Sequence, residues 1–500
     1  MHGVLHPREI IDRRAVMARL DALYDSDLSD DAWRAGLLAI LREALAHGQQ
    51  TVRARFEARR ATGVETVRAQ SYLMDQIIRV LFDTALATVA RRGVPTTGER
   101  LAVMAIGGYG RGELAPLSDV DLLFLLPYKE TPFSEQVVEF ILYTLWDLGL
   151  KVGQAVRNVD ENIHHAKADM TIRTTLLDAR WIWGDQALAK DLRRRFRKEV
   201  VEGSGAQFVQ AKLAERDTRH DKQGDSRYRL EPNVKDDKGG LRDLQTLYWI
   251  ARYLYGVDDV RKLGDLDVID DTAAARFAKA HEFLSTVRCH IHYITGRPEN
   301  RLTFDLQRQI AARIGYADRA GSTATERFMK HYFLIARDVG DLTRVFITML
   351  EEAGRRKPLM RLSSALTRRR VAGFVVENGR IGVRDDGDFA ADPLKLLRIF
   401  RVAQKRGYDF QPRTLRLIAR NAQRVVALRD DPAANALFMD ILTAAEGPEA
   451  TLRLMSECGV FGRFMPDFAR VVAQMQYDMY HVYTTDEHTI RAIGILHRID

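Results

Sequence analysis

The apolar residues change period along the chain, and the changes divide it. From about residue 8 to 92 they recur at helical spacing, as in Ser71-Tyr72-Leu73-Met74-Asp75-Gln76-Ile77-Ile78-Arg79-Val80-Leu81-Phe82, which predicts an all-helical opening region closed by Gly93 and Pro95. Two short apolar runs follow, Leu101 to Ile106 ended by a pair of glycines and Val120 to Leu126 ended by Pro127, each of a length that suits a buried strand. Phe133 to Leu148 returns to helical spacing and stops at Gly149, while Val152 to Val159 and Thr171 to Asp178 are further strand candidates for a small mixed sheet. From about 187 long helical stretches dominate, interrupted by the polar segment Asp221 to Arg242 and by a loop near Gly296-Arg297-Pro298. A hairpin is predicted from Val371 to Val376, the Asn378-Gly379 turn and Arg380 to Val383, and helices resume from Pro393.

The expected fold class is therefore mainly α with an α/β core, a small mixed sheet flanked by helices and followed by helical domains. Expected boundaries are a helical region 1–92, the α/β core 93–186, a helical domain 187–350, a linker and helical region 351–470, and the start of another domain 471–500. His488 to Asp500 reads as an amphipathic helix with neither glycine cap, proline nor polar tail, so a chain cut inside a domain is expected.

Composition narrows the class of protein. At 500 residues and 46% hydrophobic content the chain is long enough for several globular domains. Its N-terminus lacks an apolar run behind a basic stretch, and no window of about 18 apolar residues occurs, so a soluble cytoplasmic protein without a membrane partner is expected. Cys289 and Cys458 are far apart in helical patterns and predict neither a disulfide framework nor a zinc site. Basic residues number 76 against 68 acidic, a net +8, and runs such as Arg193-Arg194-Arg195-Phe196-Arg197-Lys198 and Arg368-Arg369-Arg370 read as solvated helix faces. No aromatic platform interleaves with them, and nucleic acid is not an expected partner.

The candidate chemistry lies between the two apolar runs. Gly107-Gly108 follows the first, and Ser118-Asp119-Val120-Asp121 opens the second. Glycines let backbone N–H groups approach a phosphate without a Cβ in the way, and Ser118 adds a hydroxyl donor. Side chains alternate across a strand, so Asp119 and Asp121 project from one face, about 7 Å apart along it. Two carboxylates so placed suit hard cations such as Mg2+, which share oxygens with a triphosphate. Either half alone is an ordinary turn or the start of a strand; together, at this spacing, they point to nucleotide transfer.

At these residues the sequence resembles the DNA polymerase β-type nucleotidyltransferase superfamily. The longer string Gly107-Gly108-Tyr109-Gly110-Arg111-Gly112-Glu113-Leu114 through Ser118-Asp119-Val120-Asp121-Leu122-Leu123-Phe124 is similar to the branch that modifies nitrogen-regulatory proteins, in particular the protein-PII uridylyltransferase/uridylyl-removing family. Glu231-Pro232-Asn233-Val234-Lys235 with Gly239-Gly240-Leu241-Arg242-Asp243, Leu302-Thr303-Phe304-Asp305-Leu306-Gln307, and Asp478-Met479-Tyr480-His481-Val482-Tyr483-Thr484-Thr485-Asp486-Glu487-His488 extend the resemblance over nearly the whole chain.

The resemblance implies Mg-dependent transfer of UMP from UTP to a tyrosine of the small signalling protein PII, with release of pyrophosphate. It makes 93–186 the nucleotidyltransferase core and 187–350 its associated helical domain. It also implies a third carboxylate on a later strand, for which Asp178 is the candidate and Asp169 the competitor. Lys235 and Arg242, beside Gly239-Gly240, are candidates for holding triphosphate charge, against the plainer reading of a cationic surface loop. In the family a metal-dependent HD-type phosphohydrolase and glutamine-sensing ACT domains follow. His488 matches the first histidine of the HD site, yet no His here is followed directly by Asp, so UMP removal is not expected of this chain and His488 is expected to be a buried or capping residue. Glutamine is expected to regulate only where the ACT domains are present. His164-His165 and Cys289-His290-Ile291-His292 sit on helical patterns that turn neighbouring side chains apart, and no zinc is expected there. Two other readings remain: adenylyl transfer to a different protein, and a non-catalytic nucleotide-sensing module.

Overall fold

The computed structural model describes residues 4–24, 26, 28–90, 99–223, 227–259, 262, 271–355, 369–377, 379–475 and 483–499. It divides into two compact units, one built from Met1–Arg219, Tyr248–Val260 and His281–Arg301, the other from His220–Leu247, Arg261–Ala280 and Leu302–Asp500. Gly93, Pro95, Arg368, Asn378 and the segment 478–482, all singled out from the sequence, lie outside the described residues.

In the first unit the opening region is helical, with long helices at Asp30–Glu57 and Gly63–Ala90. Ser29 caps the former by accepting the Ala32 N–H at 3.3 Å, and Asp30 and Asp31 sit where the positive end of the helix dipole favours them. A four-stranded sheet follows in the order β3-β2-β1-β4, where β1 is Ala102–Ala105, β2 Val120–Leu126, β3 Val152–Asn158 and β4 Arg180–Gly184. β1 runs antiparallel to β2 and β4, and β2 runs parallel to β3. The parallel step is bridged by the helix Pro132–Asp147, which a Thr131/Ser134 capping box starts and Gly149, at φ 80°, follows.

Leu122, Phe124 and Leu126 of β2 pack with Val103, with Leu73, Ile77 and Leu81 of the long helix, and with Val137 and Ile141 of the bridging helix. By the strand's alternation Asp121 faces the other way, which is how an unbroken apolar run supports an acidic site.

The structure corrects the expected strand at Thr171 to Asp178, which is the helix Met170–Asp178. Asp169 accepts the backbone N–H groups of Thr171 at 2.6 Å and Ile172 at 3.1 Å, a helix-starting cap that outweighs the strand preference of its Thr and Ile residues. The sheet's fourth strand comes two residues later, at Arg180–Gly184, where Ile182 enters the core, Trp183 packs against it, and Trp181 and Trp183 stack with ring centroids 6.0 Å apart.

In the second unit, a separate apolar core gathers Phe374, Ile381, Phe389, Leu396, Phe400, Ile418, Phe438, Met455 and Phe461. Its sheet runs β5-β6-β7-β8, with β5 Arg369–Val371, β6 Phe374–Glu377, β7 Arg380–Gly382 and β8 Asp409–Phe410. The predicted first strand is thus split: Ala372 and Gly373, at φ 50° and 88°, make a turn between β5 and β6. The pairing of β6 with β7 keeps the expected hairpin.

Candidate active site

Gly107 leaves β1 at φ 60°, a left-handed conformation that glycine adopts without cost. The Ile106 N–H donates to the Asp121 carbonyl at 3.1 Å, so the end of β1 lies against the start of β2. A Cβ on Gly107 would stand 3.2 Å from Asp121 Oδ2. On the other side β3 pairs Gly153 with Asp121, and a Cβ on Gly153 would come within 2.3 Å of Oδ1. The Asp121 carboxylate therefore lies between two backbone positions that lack side chains. Asp119 is exposed, and Ser118 and Asp121 are half-buried. The geometry brings Gly107, Gly108, Ser118, Asp119 and Asp121 into one region at the end of the sheet.

Behind the glycine turn stands a buried polar scaffold. The Tyr109 hydroxyl donates to Asp75 Oδ1 at 2.7 Å, and Arg180 grips the same carboxylate at 2.8 and 2.9 Å. Burial pushes the Tyr109 phenol well up, so it remains a donor. The Leu114 N–H donates to Ser71 Oγ at 3.0 Å, tying the loop after the turn to the same long helix.

Arg111 is almost enclosed. Its guanidinium bonds Asp178 at 2.5 Å and Glu113 at 2.9 Å and lies over the Trp249 ring, 5.5 Å from its centroid. Burial opposes its charge, but the two carboxylates raise its proton affinity further. Burial likewise pushes the Asp178 carboxyl up, and Arg111 and the Trp249 N–H pull it part of the way back. Glu113 goes the other way: Arg111 and His281 overcome its burial and hold it well below the carboxylate range. Asp178 thus ends a helix and engages Arg111 and Trp249, the latter at 2.9 and 3.1 Å. Asp169, its competitor, is the helix cap already described.

The loop from Glu113 to Ser118 rests on residues of the helix Asp271–Thr295. His281 meets Glu113 at 3.2 Å, Cys289 packs with Ala115, His292 Nδ1 bonds the Pro116 carbonyl, and Arg288 donates to Ser118 Oγ at 3.4 Å. His290 stacks on Phe56, 4.5 Å between centroids. The predicted helix at 289–292 thus packs the loop, and burial pushes the Cys289 thiol up to about 12.

Residues 207–347 match the family described as GlnD PII-uridylyltransferase, and residues 374–464 match the uridylyltransferase GlnD third domain. The chain carries GlnD uridylyltransferase domains. Residues 16–139, which include the glycine turn and both aspartates, match the glutamate-ammonia ligase adenylyltransferase family. Over 498 residues the chain is 55% identical to the bifunctional uridylyltransferase/uridylyl-removing enzyme of Rhodospirillum rubrum, covering 99% of this chain and 53% of that one. The namesakes from Azospirillum brasilense, 55% identical over 100% of this chain and 54% of theirs, and from Caulobacter vibrioides, 48% identical over 97% and 53%, give the same picture. The chain spans about half the length of the curated relatives it matches.

Within the first GlnD match, Lys235, Gly239, Gly240 and Arg242 lie together on a tight loop of the second unit, whereas the aspartates belong to the first. Asn233 Oδ1 accepts the N–H groups of Lys235 and Asp236, the Arg242 N–H returns to the Lys235 carbonyl at 2.8 Å, and the Asp243 carboxylate takes the Gly239 N–H at 2.8 Å and His220 at 2.9 Å. A Cβ on Gly239 would meet Ala336 at 2.6 to 2.9 Å, so its glycine is required by packing inside this unit. Arg242 lies 3.6 Å from Asp236.

His488, expected to be buried or capping, is exposed in the first turn of the helix Thr485–His497, while its neighbours Asp486 and Glu487 are buried. Among the described residues no group of three or more His, Cys, Asp or Glu side chains is placed to hold a metal. Among them, too, no helix is long and apolar enough to cross a membrane.

Proposed function

We propose that the chain is a nucleotidyltransferase that moves UMP from UTP onto a tyrosine hydroxyl of PII and releases pyrophosphate in the cytoplasm. One observation carries the reading: the Asp121 carboxylate is seated between Gly107 and Gly153, with Asp119 two residues before it, just ahead of β2, in a chain with GlnD domains. The donors are oxygens only, and the pair is partly open to solvent, which fits Mg2+ completed by water and phosphate oxygens. Asp119 and Asp121 would hold the ion; when bound, it neutralises phosphate charge and favours the ionised acceptor oxygen.

The tyrosine oxygen attacks the α-phosphorus in line, the bond to the bridging oxygen breaks, and the electron pair leaves with pyrophosphate. Gly107 and Gly108 admit the triphosphate close to the backbone, and Ser118 adds a hydroxyl contact. Asp178 acts through Arg111, which it holds beside Gly108. Lys235 and Arg242 are a second candidate contact for substrate anions. UMP removal and glutamine control are assigned to no residue of this chain.

Incubation with PII, labelled UTP and Mg2+ is expected to label PII on tyrosine, and Asp121→Asn to abolish the label. Full labelling by that variant would overturn the metal assignment. A second reading, adenylyl transfer, is favoured by the match of residues 16–139 to an adenylyltransferase family. Competition between ATP and UTP decides between them: on the uridylyl reading, excess ATP leaves labelling unchanged.

A further inference from the structure

We propose that Arg180 is a positioning residue for nucleotide transfer: its guanidinium grips the backbone of the glycine turn and so sets Gly107 and Gly108 against Asp121. The inference rests on the nucleotidyl-transfer reading and deepens it. Arg180 opens β4 and stands in register with Ala105, the last residue of β1 before the turn. From there Nε donates to the Gly110 carbonyl at 3.3 Å and Nη2 to the Tyr109 carbonyl at 3.3 Å.

The same guanidinium holds Asp75, with Nη1 on Oδ2 at 2.8 Å and Nη2 on Oδ1 at 2.9 Å. Asp75 in turn accepts the Tyr109 hydroxyl at 2.7 Å, and the guanidinium lies 5.5 Å from the centre of the Tyr109 ring. One ion pair thus holds the turn both by its backbone and by the side chain of Tyr109, with the acid supplied by the long helix Gly63–Ala90 and the base by the sheet. Balancing a buried carboxylate needs only a positive charge, which an ammonium would supply. Reaching two carbonyls and both carboxylate oxygens at once needs a planar fork of several N–H groups, which arginine alone carries. The bonds beyond charge balance go to the turn.

Backbone hydrogen bonds pass this placement on to the acidic site. The Gly110 N–H donates to the Ile106 carbonyl at 2.9 Å, and the Ile106 N–H to the Asp121 carbonyl at 3.1 Å. A Cβ on Gly107 would stand 3.2 Å from Asp121 Oδ2, so a small displacement of the turn alters the spacing between the candidate phosphate contacts and the candidate metal ligand. The turn is also pressed against the chain just before Arg180: a Cβ on Gly110 would meet the Asp178 carbonyl at 2.4 Å. Arg180 touches no reacting atom in this scheme. It acts through the turn, and a misplacement of about 1 Å between reacting groups can cost about 100-fold in rate.

The test is transfer of labelled UMP to PII by wild type, Arg180→Lys and Asp75→Asn, with KM for UTP and for PII measured separately and thermal melts alongside. Arg180→Lys keeps a cation for Asp75 but loses the fork. Expected is a folded variant whose kcat/KM for UTP falls about tenfold or more, with KM for PII within about twofold of wild type. A role confined to stability predicts instead that activity is lost only as the protein melts. Wild-type kcat and KM for UTP in folded Arg180→Lys, well below its melting temperature, therefore overturn the proposal. If Arg180→Lys does not fold, Asp75→Asn decides it, because the fork then loses its charged anchor: a smaller loss in the same direction is expected, and unchanged kcat and KM for UTP reject the positioning role. A folded wild type that moves no nucleotide from UTP or ATP rejects the transferase reading itself, and the role of Arg180 with it.

Discussion

Asp121 occupies the space that a side chain on Gly153 would need: Oδ1 lies 2.3 Å from where a Cβ would stand. Gly153→Ala must therefore push the carboxylate aside, and if Asp121 has the proposed role a misplacement of about 1 Å is expected to cost about 100-fold in turnover. Labelled-UTP transfer and a thermal melt measured together check this. The expected result is lost transfer with a near-native melting temperature; a variant as active as wild type would show that the position of Asp121 is not critical.

Breaking the buried pair of Asp178 and Arg111 leaves Arg111 with one carboxylate partner, Glu113, instead of two, and removes the oxygens that accept the Trp249 N–H. Asp178→Ala is expected to destabilise the protein by about 3 to 5 kcal/mol, the usual cost of removing one partner of a buried ion pair. Urea unfolding followed by circular dichroism gives the figure. A loss under 1 kcal/mol contradicts this account of the pair.

Glu113 makes part of the stability depend on pH. Its carboxyl is held well below the ordinary value of about 4.3 by Arg111 and His281 despite burial. A depressed carboxylate contributes stability that is present above the unfolded value and is lost as pH falls toward the folded one. The destabilisation caused by Glu113→Gln should therefore be largest near pH 7, about 2 kcal/mol, and should shrink steadily below about pH 4. Melting curves of both proteins from pH 3 to 7 test the sign: a gap that widens in acid is the wrong outcome.

Tyr109→Phe removes the hydroxyl from Asp75 but leaves the Arg180 fork in place. About 1 to 2 kcal/mol of stability should be lost, because Asp75 stays paired. Arg180→Ala should cost more, since it removes the charge that the buried carboxylate needs. Chemical denaturation ranks the two, and the reverse order refutes this division of labour.

Chelation with excess EDTA should stop nucleotide transfer, and Mg2+ should restore it. The fold is expected to survive, since both unit cores are built from apolar side chains. Transfer that persists in EDTA after dialysis removes the metal from the proposed chemistry.

Much of this was legible along the chain because it is written between near neighbours. The run Val120 to Leu126 reads as a strand from its apolar continuity and is one. Thr171 to Asp178 was misread because its β-branched residues favour a strand, while one capping bond from Asp169 starts a helix. The true fourth strand, with its paired tryptophans, was missed because Arg180 opens it only two residues after that helix. Arg288 went unnoticed beside the more conspicuous Cys289-His290-Ile291-His292. Nothing local distinguishes it from any other helix arginine.

By itself the sequence determined that Asp119 and Asp121 stand at the start of a strand next to a glycine turn, since an apolar run and backbone freedom are properties of a few adjacent residues. Only the tertiary structure decided that Gly153 lies in register with Asp121, that Asp178 serves Arg111, and that Arg288 reaches Ser118. These pairings join residues 32, 67 and 170 positions apart. They depend on how whole helices and strands bury their apolar faces against each other, a sum over the entire core that no short stretch of chain records.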